Sequence, residues 1–217
     1  MKKNRLFGHQ LFTGFKPVKY LVRECRNIIF PGSEIYWENR YRKNGNSGNG
    51  SYGIRAEYKA RIINRFVAEH NISTVIELGC GDGNQLMQFH FKNYIGFDVS
   101  PTAIKKCNHI FKNDSSKCFF LYKPEALPEN FTADLTLSLD VVYHLIEEDV
   151  FEKYMDNLFA MARKYVIIYA WDVEEAPRFH VRHRKFSVWI EKNIPGFQLI
   201  ESIRKEGFCD FFIYEKQ

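Results

Sequence analysis

The run ELGCGDG, residues 77–83, sets a carboxylate just ahead of glycines at alternate positions, Gly79, Gly81 and Gly83. Glycines so spaced let a backbone turn tightly and approach a ligand closely. Asp98 closes the next apolar run, YIGFDV. An acidic side chain at the end of the strand after such a loop can accept from two ribose hydroxyls at once. A nicotinamide dinucleotide usually requires G-x-G-x-x-G, with its pyrophosphate against a helix end. Here the third glycine comes one residue early and a carboxylate stands beside the loop. That pattern suits a ligand without phosphates that carries a positive centre.

A literal G-x-G-x-x-G does occur earlier, as Gly48, Gly50 and Gly53 within NGNSGNGSYG, residues 44–53. Such a loop can hold a cofactor in a doubly wound sheet only where a strand ends and a helix begins. YWENRYRKN in front of it is no strand, so this match is a decoy. ELGCGDG meets the condition, following the β-branched STVI and preceding NQLMQF, which reads as the start of a helix.

The elements that must position these residues follow from periodicity. Ile54, Tyr58, Ile62 and Phe66 recur every four residues, with Ile63 and Val67 beside them and Arg, Lys and Glu opposite, so an amphipathic helix runs to near Asn71. Strands are expected over STVIEL, YIGFDV (94–99), KCFFLYK (117–123), DLTLSLD (134–140) and YVIIYA (165–170). Ser100-Pro101 gives an N-cap and a proline at the first helical position for TAIKKCNHIF. EEDVFEKYMDNLFAMARK and FSVWIEKN read as helices, and FQLIESI with CDFFIYEK as a hairpin across KEGF. Strands alternating with helices imply a parallel sheet with right-handed crossovers. The expected fold is therefore α/β: a Rossmann-like, doubly wound, mostly parallel seven-stranded sheet with an antiparallel C-terminal strand. Residues 1–53 form an N-terminal extension and residues 54–217 the main domain.

Apolar residues make up 45% of the 217 residues and aromatics 16%, enough to bury a core, so a disordered chain is excluded. No apolar run reaches the length of about 20 residues that a membrane span needs. The basic start, MKKNRLFGHQLF, lacks the apolar stretch of a signal peptide. The five cysteines, Cys25, Cys80, Cys107, Cys118 and Cys209, are scattered without C-x-x-C, which indicates neither a zinc ribbon nor a disulfide framework and points to a reducing cytoplasm. The net charge of +5 allows an anionic partner without requiring one. Its excess lies in residues 1–43, including Lys2, Lys3, Arg5, Lys16, Lys19, Arg23 and Arg26, and in RFHVRHRK at 178–185.

VIELGCGDG, YIGFDVSPTAI and ADLTLSLDVVYHL, in that order, resemble the class I S-adenosylmethionine-dependent methyltransferases. The wider pattern, from SGNGSYG to HVRHRKF, is also similar to a bacterial subgroup associated with surface-polysaccharide loci. The resemblance implies S-adenosyl-L-methionine as cofactor. Glu77 would order the loop and the methionine amine, Gly79, Cys80, Gly81 and Gly83 would give backbone contact, and Asp98, with Val99 beside it, would take the ribose. Leu139 and Asp140 would end the fourth strand near the sulfonium, although Asp140 can equally be a helix N-cap. Many relatives have an acidic residue after the third strand for the adenine. Tyr122-Lys123-Pro124 stands here instead, so stacking on Tyr122 or a backbone acceptor would replace it.

Methyl transfer from a sulfonium is an in-line displacement in which the protein mainly aligns the reactants. A hydroxyl acceptor is helped by a base, and histidine suits that work near neutral pH. His144 in DVVYHL can be that base or a packing residue. His180 and His183, in the segment after the fifth strand, face the acceptor in this fold. Arg178, Arg182 and Arg184, with Lys185, can clamp an anionic acceptor or form a solvated loop. Asp140 and Asp172 end consecutive strands, but WDVEE lacks the Asp-Asn pair of the metal-dependent catechol-type enzymes, and no metal is expected. The leading expectation is O-methylation of a small-molecule or glycan acceptor. An RNA or tRNA methyltransferase is less favoured for want of an RNA-binding module, and a non-catalytic methyltransferase-like subunit is a third reading. Residues 44–53, flanked by Tyr36, Trp37, Tyr41 and Tyr52, can then serve as a lid over the cofactor or as a linker.

Overall fold

The computed structural model describes residues 30–127 and 131–217. The basic residues from Lys2 to Arg26, and Cys25, lie outside them. Seven strands form one sheet: β1 (Thr74–Leu78), β2 (Asn93–Asp98), β3 (Lys117–Leu121), β4 (Ala133–Leu139), β5 (Ala162–Ala170), β8 (Phe197–Ile203) and β9 (Asp210–Lys216). Their order is β3-β2-β1-β4-β5-β9-β8. The pairs among β1 to β5 are parallel, whereas β9 lies antiparallel to both β5 and β8. This is the expected mostly parallel sheet, with the C-terminal strand inserted as the antiparallel member of a hairpin.

The sheet is covered on both faces, as a parallel sheet must be. Every residue of β4 is buried, and the polar members of its ADLTLSL sequence are satisfied internally: Thr136 Oγ1 donates to Leu158 O at 2.9 Å and Ser138 Oγ accepts from Tyr154 OH at 2.7 Å. On one face Val75, Leu135, Leu137 and Ile167 pack against helix α2 (Gly53–Glu69) through Tyr58, Ile62, Ile63 and Phe66. On the other, Ile76, Leu78, Val166 and Ile168 meet α4 (Glu148–Ala160) and α5 (Phe186–Asn193) through Phe151, Tyr154, Leu158 and Phe186. A shorter helix, α1 (Ser33–Arg42), precedes α2. Helix α3 (Pro101–Ile110) begins as the sequence indicates: Ser100 Oγ accepts from Ala103 N at 3.1 Å, and Pro101 opens the helix. No helix among the described residues is long and apolar enough to cross a membrane.

Two local expectations fail. No helix follows the glycine loop, and Leu86–Gln88 makes a single 3₁₀ turn. The reason is length: β2 begins at Asn93, so the chain must return within a few residues. Leu86, Phe89 and Phe91 are buried in place of a helical face. Asn64 of α2 holds the segment, donating to Gln88 O at 2.9 Å and accepting from His90 N at 2.9 Å. The segment after β5 is not a plain loop either. It forms a two-stranded antiparallel ribbon, β6 (Glu175–Arg178) and β7 (Val181–His183).

Ser100 caps α3 and also donates to Glu38 Oε2 of α1 at 2.6 Å, tying both helices to one hydroxyl. Ser100→Ala is expected to lower stability by roughly 1–2 kcal/mol in urea unfolding. An unchanged midpoint would show that the cap contributes nothing.

Candidate active site

The carboxyl ends of β1, β2 and β4 open into a cavity of about 330 Å³, the position where open α/β sheets bind ligands. The glycine loop forms its floor. Gly79 and Gly81 have φ of +89° and +60°. A Cβ on Gly79 would come within 2.4 Å of Val141 Cγ2, and one on Gly81 within 2.3 Å of Ser47 Oγ, so only glycine fits. Gly79, Cys80 and Gly81 line the cavity and Gly83 does not. A Cβ at Gly83 would meet Phe111 and Cys107. Gly83 therefore makes room for α3 rather than contacting a ligand, which corrects its place among the contact residues.

Asp98 is buried in the cavity wall. Its Oδ2 accepts from Gly81 N and its Oδ1 from Ser100 N, both at 2.9 Å. Burial pushes its pKa up to about 6, partly offset by those backbone donors. Glu77, beside it, is also in the wall and accepts from Tyr94 OH at 2.6 Å. Burial raises it to about 7, against the lowering effect of Tyr94 and of the Lys59 charge. Two carboxylates with raised pKa values in one cleft mark a prepared ligand site. Val99, Tyr122, Pro124 and Leu139 continue the wall, and the Tyr122 hydroxyl accepts from Asn157 Nδ2 at 2.9 Å.

Asp140 does not cap a helix. It adopts a left-handed backbone, φ +61°, uncommon for a non-glycine residue. Its Oδ2 lies 2.6 Å from Lys59 Nζ, and its Oδ1 accepts from Tyr143 OH at 2.7 Å. Lys59 is 0% exposed and lines the same cavity. The carboxylate expected near the sulfonium is thus already paired with a buried lysine. Sequence reasoning set Lys59 on the polar side of α2. Its position one turn before Ile62 and Ile63, both inward residues, was the available signal.

Of the three histidines only His144 reaches the cavity. Its Nδ1 lies 2.8 Å from His180 O and its ring packs edge-on to Trp37, with centroids 4.8 Å apart. A carbonyl only accepts, so Nδ1 carries the hydrogen and Nε2 keeps a lone pair. Burial lowers its pKa to about 4. His180 stacks on Tyr36 and His183 packs by Tyr143, and neither lines the cavity. Two of the three arginines considered for an acceptor clamp are committed to Glu148. Arg184 is buried, donating to Leu145 O and Ile146 O and lying 3.3 Å from Glu148 Oε2. Arg182 also meets Glu148, at 2.8 Å. Arg178 is exposed on the ribbon. Arg182 and Arg184 thus brace the ribbon against the start of α4.

Residues 30–52 cover the cavity. Ser33, Trp37 and Tyr41 of α1 line it, as do Ser47 and Ser51. The segment is pinned to the glycine loop: Ser47 N donates to Asp82 Oδ2 and Asp82 N to Ser47 Oγ, each at 2.9 Å, and Tyr52 OH donates to Asp82 Oδ2 at 2.8 Å. Tyr52 itself stands outside the lining and acts through Asp82. Glu38 accepts from Ser100 Oγ and Thr102 Oγ1, and Glu147 accepts from Ser33 N and Oγ. No group of His, Cys, Asp and Glu able to hold a metal ion is found among the described residues.

Residues 75–164 match a family model described as a methyltransferase domain. Solved structures share the fold. The N-methyltransferase NodS from Bradyrhizobium japonicum WM9, in complex with S-adenosyl-L-homocysteine, superposes with a TM-score of 0.69 at 16% identity, covering 85% of this chain and 98% of that one. Magnesium protoporphyrin IX methyltransferase from Synechocystis PCC 6803, with bound S-adenosyl-L-homocysteine, gives 0.60 at 15% identity, covering 92% and 100%. An O-methyltransferase family protein from Burkholderia thailandensis gives 0.59 at 16%, covering 75% and 57%. No curated protein matches the chain in sequence.

The raised pKa of Glu77 has a measurable sign. Its folded value, about 7, lies above the ordinary value near 4.3, so the native state bears a buried-charge penalty that is full above pH 7 and fades as pH falls toward 4.3. Glu77→Gln should therefore gain on the order of 1–3 kcal/mol relative to the native protein at pH 8 and much less at pH 5, in paired urea titrations. An equal difference at both pH values would contradict the assignment.

Proposed function

We propose that the chain is a class I S-adenosylmethionine-dependent methyltransferase and that it methylates a hydroxyl of a small-molecule or glycan acceptor with His144 as the proton acceptor. The observation that carries this reading is the tautomer. Nδ1–H is held by the His180 carbonyl, which leaves the basic Nε2 on a ring in the cavity wall.

The residues present fit the cofactor. Asp98 has carboxylate oxygens on the wall for the ribose hydroxyls, and Gly79 to Gly81 let the backbone come close. Tyr122, Val99 and Leu139 supply an apolar slot for the adenine, with no acidic residue in it. When bound, the cofactor supplies an activated methyl group on a sulfonium. The chain then aligns the acceptor oxygen with that methyl, excludes water beneath the strap of residues 30–52, and takes the hydroxyl proton at His144 Nε2. Residues 44–53, joined to Asp82 by paired hydrogen bonds, act here as a cover rather than a free linker.

The acceptor is read as uncharged. Arg182 and Arg184 are occupied by Glu148, and the mouth carries Glu34, Glu147 and the Trp37 ring, which would give a sugar-like ring an apolar face. Arg182 and Arg184 are likewise unavailable to a phosphate backbone, which disfavours the RNA reading.

Asp98→Ala should weaken S-adenosyl-L-homocysteine binding by about tenfold or more, since it removes charge-assisted acceptors from the site. Unchanged affinity by calorimetry would remove the ribose assignment. His144→Ala should lower kcat by about 10²–10⁴-fold with little change in cofactor affinity. Because burial holds His144 near 4, kcat of the native enzyme at saturating cofactor and acceptor should stay level from pH 8 down to about pH 5. A variant as fast as the native protein would refute the base.

A further inference from the structure

Lys59 is fully buried in the cavity wall, where a lysine is rarely found unless paired. Its Nζ lies 2.6 Å from Asp140 Oδ2 and 5.3 Å from the centre of the Tyr169 ring. The other oxygen, Oδ1, accepts from Tyr143 OH at 2.7 Å, with Cys209 Sγ 3.8 Å away. Both oxygens of Asp140 are therefore clamped, one from α2 and one from the turn that follows β4. Well-packed apolar residues in place of a buried ion pair are often as stable or more so, and stability alone does not account for this one.

The clamp coincides with a strained backbone. Asp140 has φ +61°, which is costly in a non-glycine residue and persists where its surroundings over-determine it. That reversal takes the chain off the line of β4, which ends at Leu139, and into the 3₁₀ turn Val142–His144. His144 N donates back to Val141 O at 2.7 Å. The Tyr143 and His144 ring centres are 4.5 Å apart, and His144 Nδ1 is 2.8 Å from His180 O. An unbroken series of contacts thus runs from Lys59 through Asp140 and Tyr143 to His144.

We propose that Lys59 and Tyr143 are positioning residues: by clamping Asp140 between them, they fix the left-handed turn that sets His144 in the cavity wall with its Nδ1 on the His180 carbonyl. This rests on the reading of His144 as proton acceptor and assigns what holds it there. The clamp also controls charge. The charged and titratable groups acting on His144 are Asp140, Arg40 of α1 and His180 of the ribbon, with the Tyr143 phenol against its ring. Glu147, ahead of α4, is spent on Ser33, whose Oγ also donates to His144 O. Lys59 in turn faces Asp140, Glu77 and Cys209. Removing Lys59 leaves the Asp140 carboxylate unbalanced, and an unbalanced carboxylate nearby favours imidazolium.

The test needs no acceptor. It follows the His144 ring nitrogens in the full chain by NMR through a pH titration, their signals assigned by loss in His144→Ala. The native ring should show one tautomer, Nδ1–H, and stay neutral down to about pH 5. Lys59→Met should raise the titration midpoint by about one pH unit or more, and adding Asp140→Asn should bring it back. Tyr143→Phe keeps Asp140 paired with Lys59, so it folds even where Lys59→Met does not, and it should let the ring populate both tautomers. Retained unfolding temperature checks each variant. A native tautomer preserved in Tyr143→Phe, or a native midpoint in folded Lys59→Met, would overturn the positioning role. A native protein with its hydrogen on Nε2 would instead overturn the proton acceptor beneath it.

Discussion

The site depends on backbone contact at the glycine loop closer than any side chain allows. Gly79 lies against Val141 after β4, Gly81 against Ser47 in the cover, and Gly50 of the cover against the Asp140 carboxylate. Each approach brings together segments distant in sequence. The end of β1, the end of β4 and the segment before α2 are thereby locked around one cavity. The two glycine-rich runs of the chain are thus partners: one is the floor and the other lies on it, joined through Asp82, Ser47 and Tyr52.

Charge inside this enclosure follows from the same packing. Glu77, Asp98 and Lys59 are buried beside a left-handed Asp140, an arrangement that an apolar core would avoid. Burial raises both Glu77 and Asp98. Such groups persist where a ligand completes their hydrogen bonds, and the orphaned Gln85 oxygen beside them belongs to the same pattern. Stability given up by burying these groups reappears as affinity for a ligand that supplies their partners.

Much of this was legible in sequence where local chemistry decides structure. The β-branched runs, the Ser100-Pro101 cap and the strand before ELGCGDG located the sheet, α3 and the loop. The reading lost ground where tertiary constraints decide. The helix expected after the loop gave way to one turn because β2 starts too soon, which no periodicity reveals. Lys59 looked solvated because charge outweighed its inward position, and its partner Asp140 lies far along the chain. Arg182 and Arg184 looked free for the complementary reason: Glu148, on another element, satisfies both. Nothing local marks His144 off from His180 and His183: His180 falls in the turn between β6 and β7 and stacks on Tyr36, and His183 ends β7 against Tyr143.

The central claim is that this cavity holds the methyl donor with its ribose at Asp98 and its sulfur toward Asp140 and His144. A crystal structure of the protein soaked with S-adenosyl-L-homocysteine tests it most directly. The account predicts density along the glycine loop, with both ribose hydroxyls on the Asp98 carboxylate and the adenine against Tyr122. Well-ordered ligand bound elsewhere, or bound in the cavity with Asp98 untouched, would contradict it.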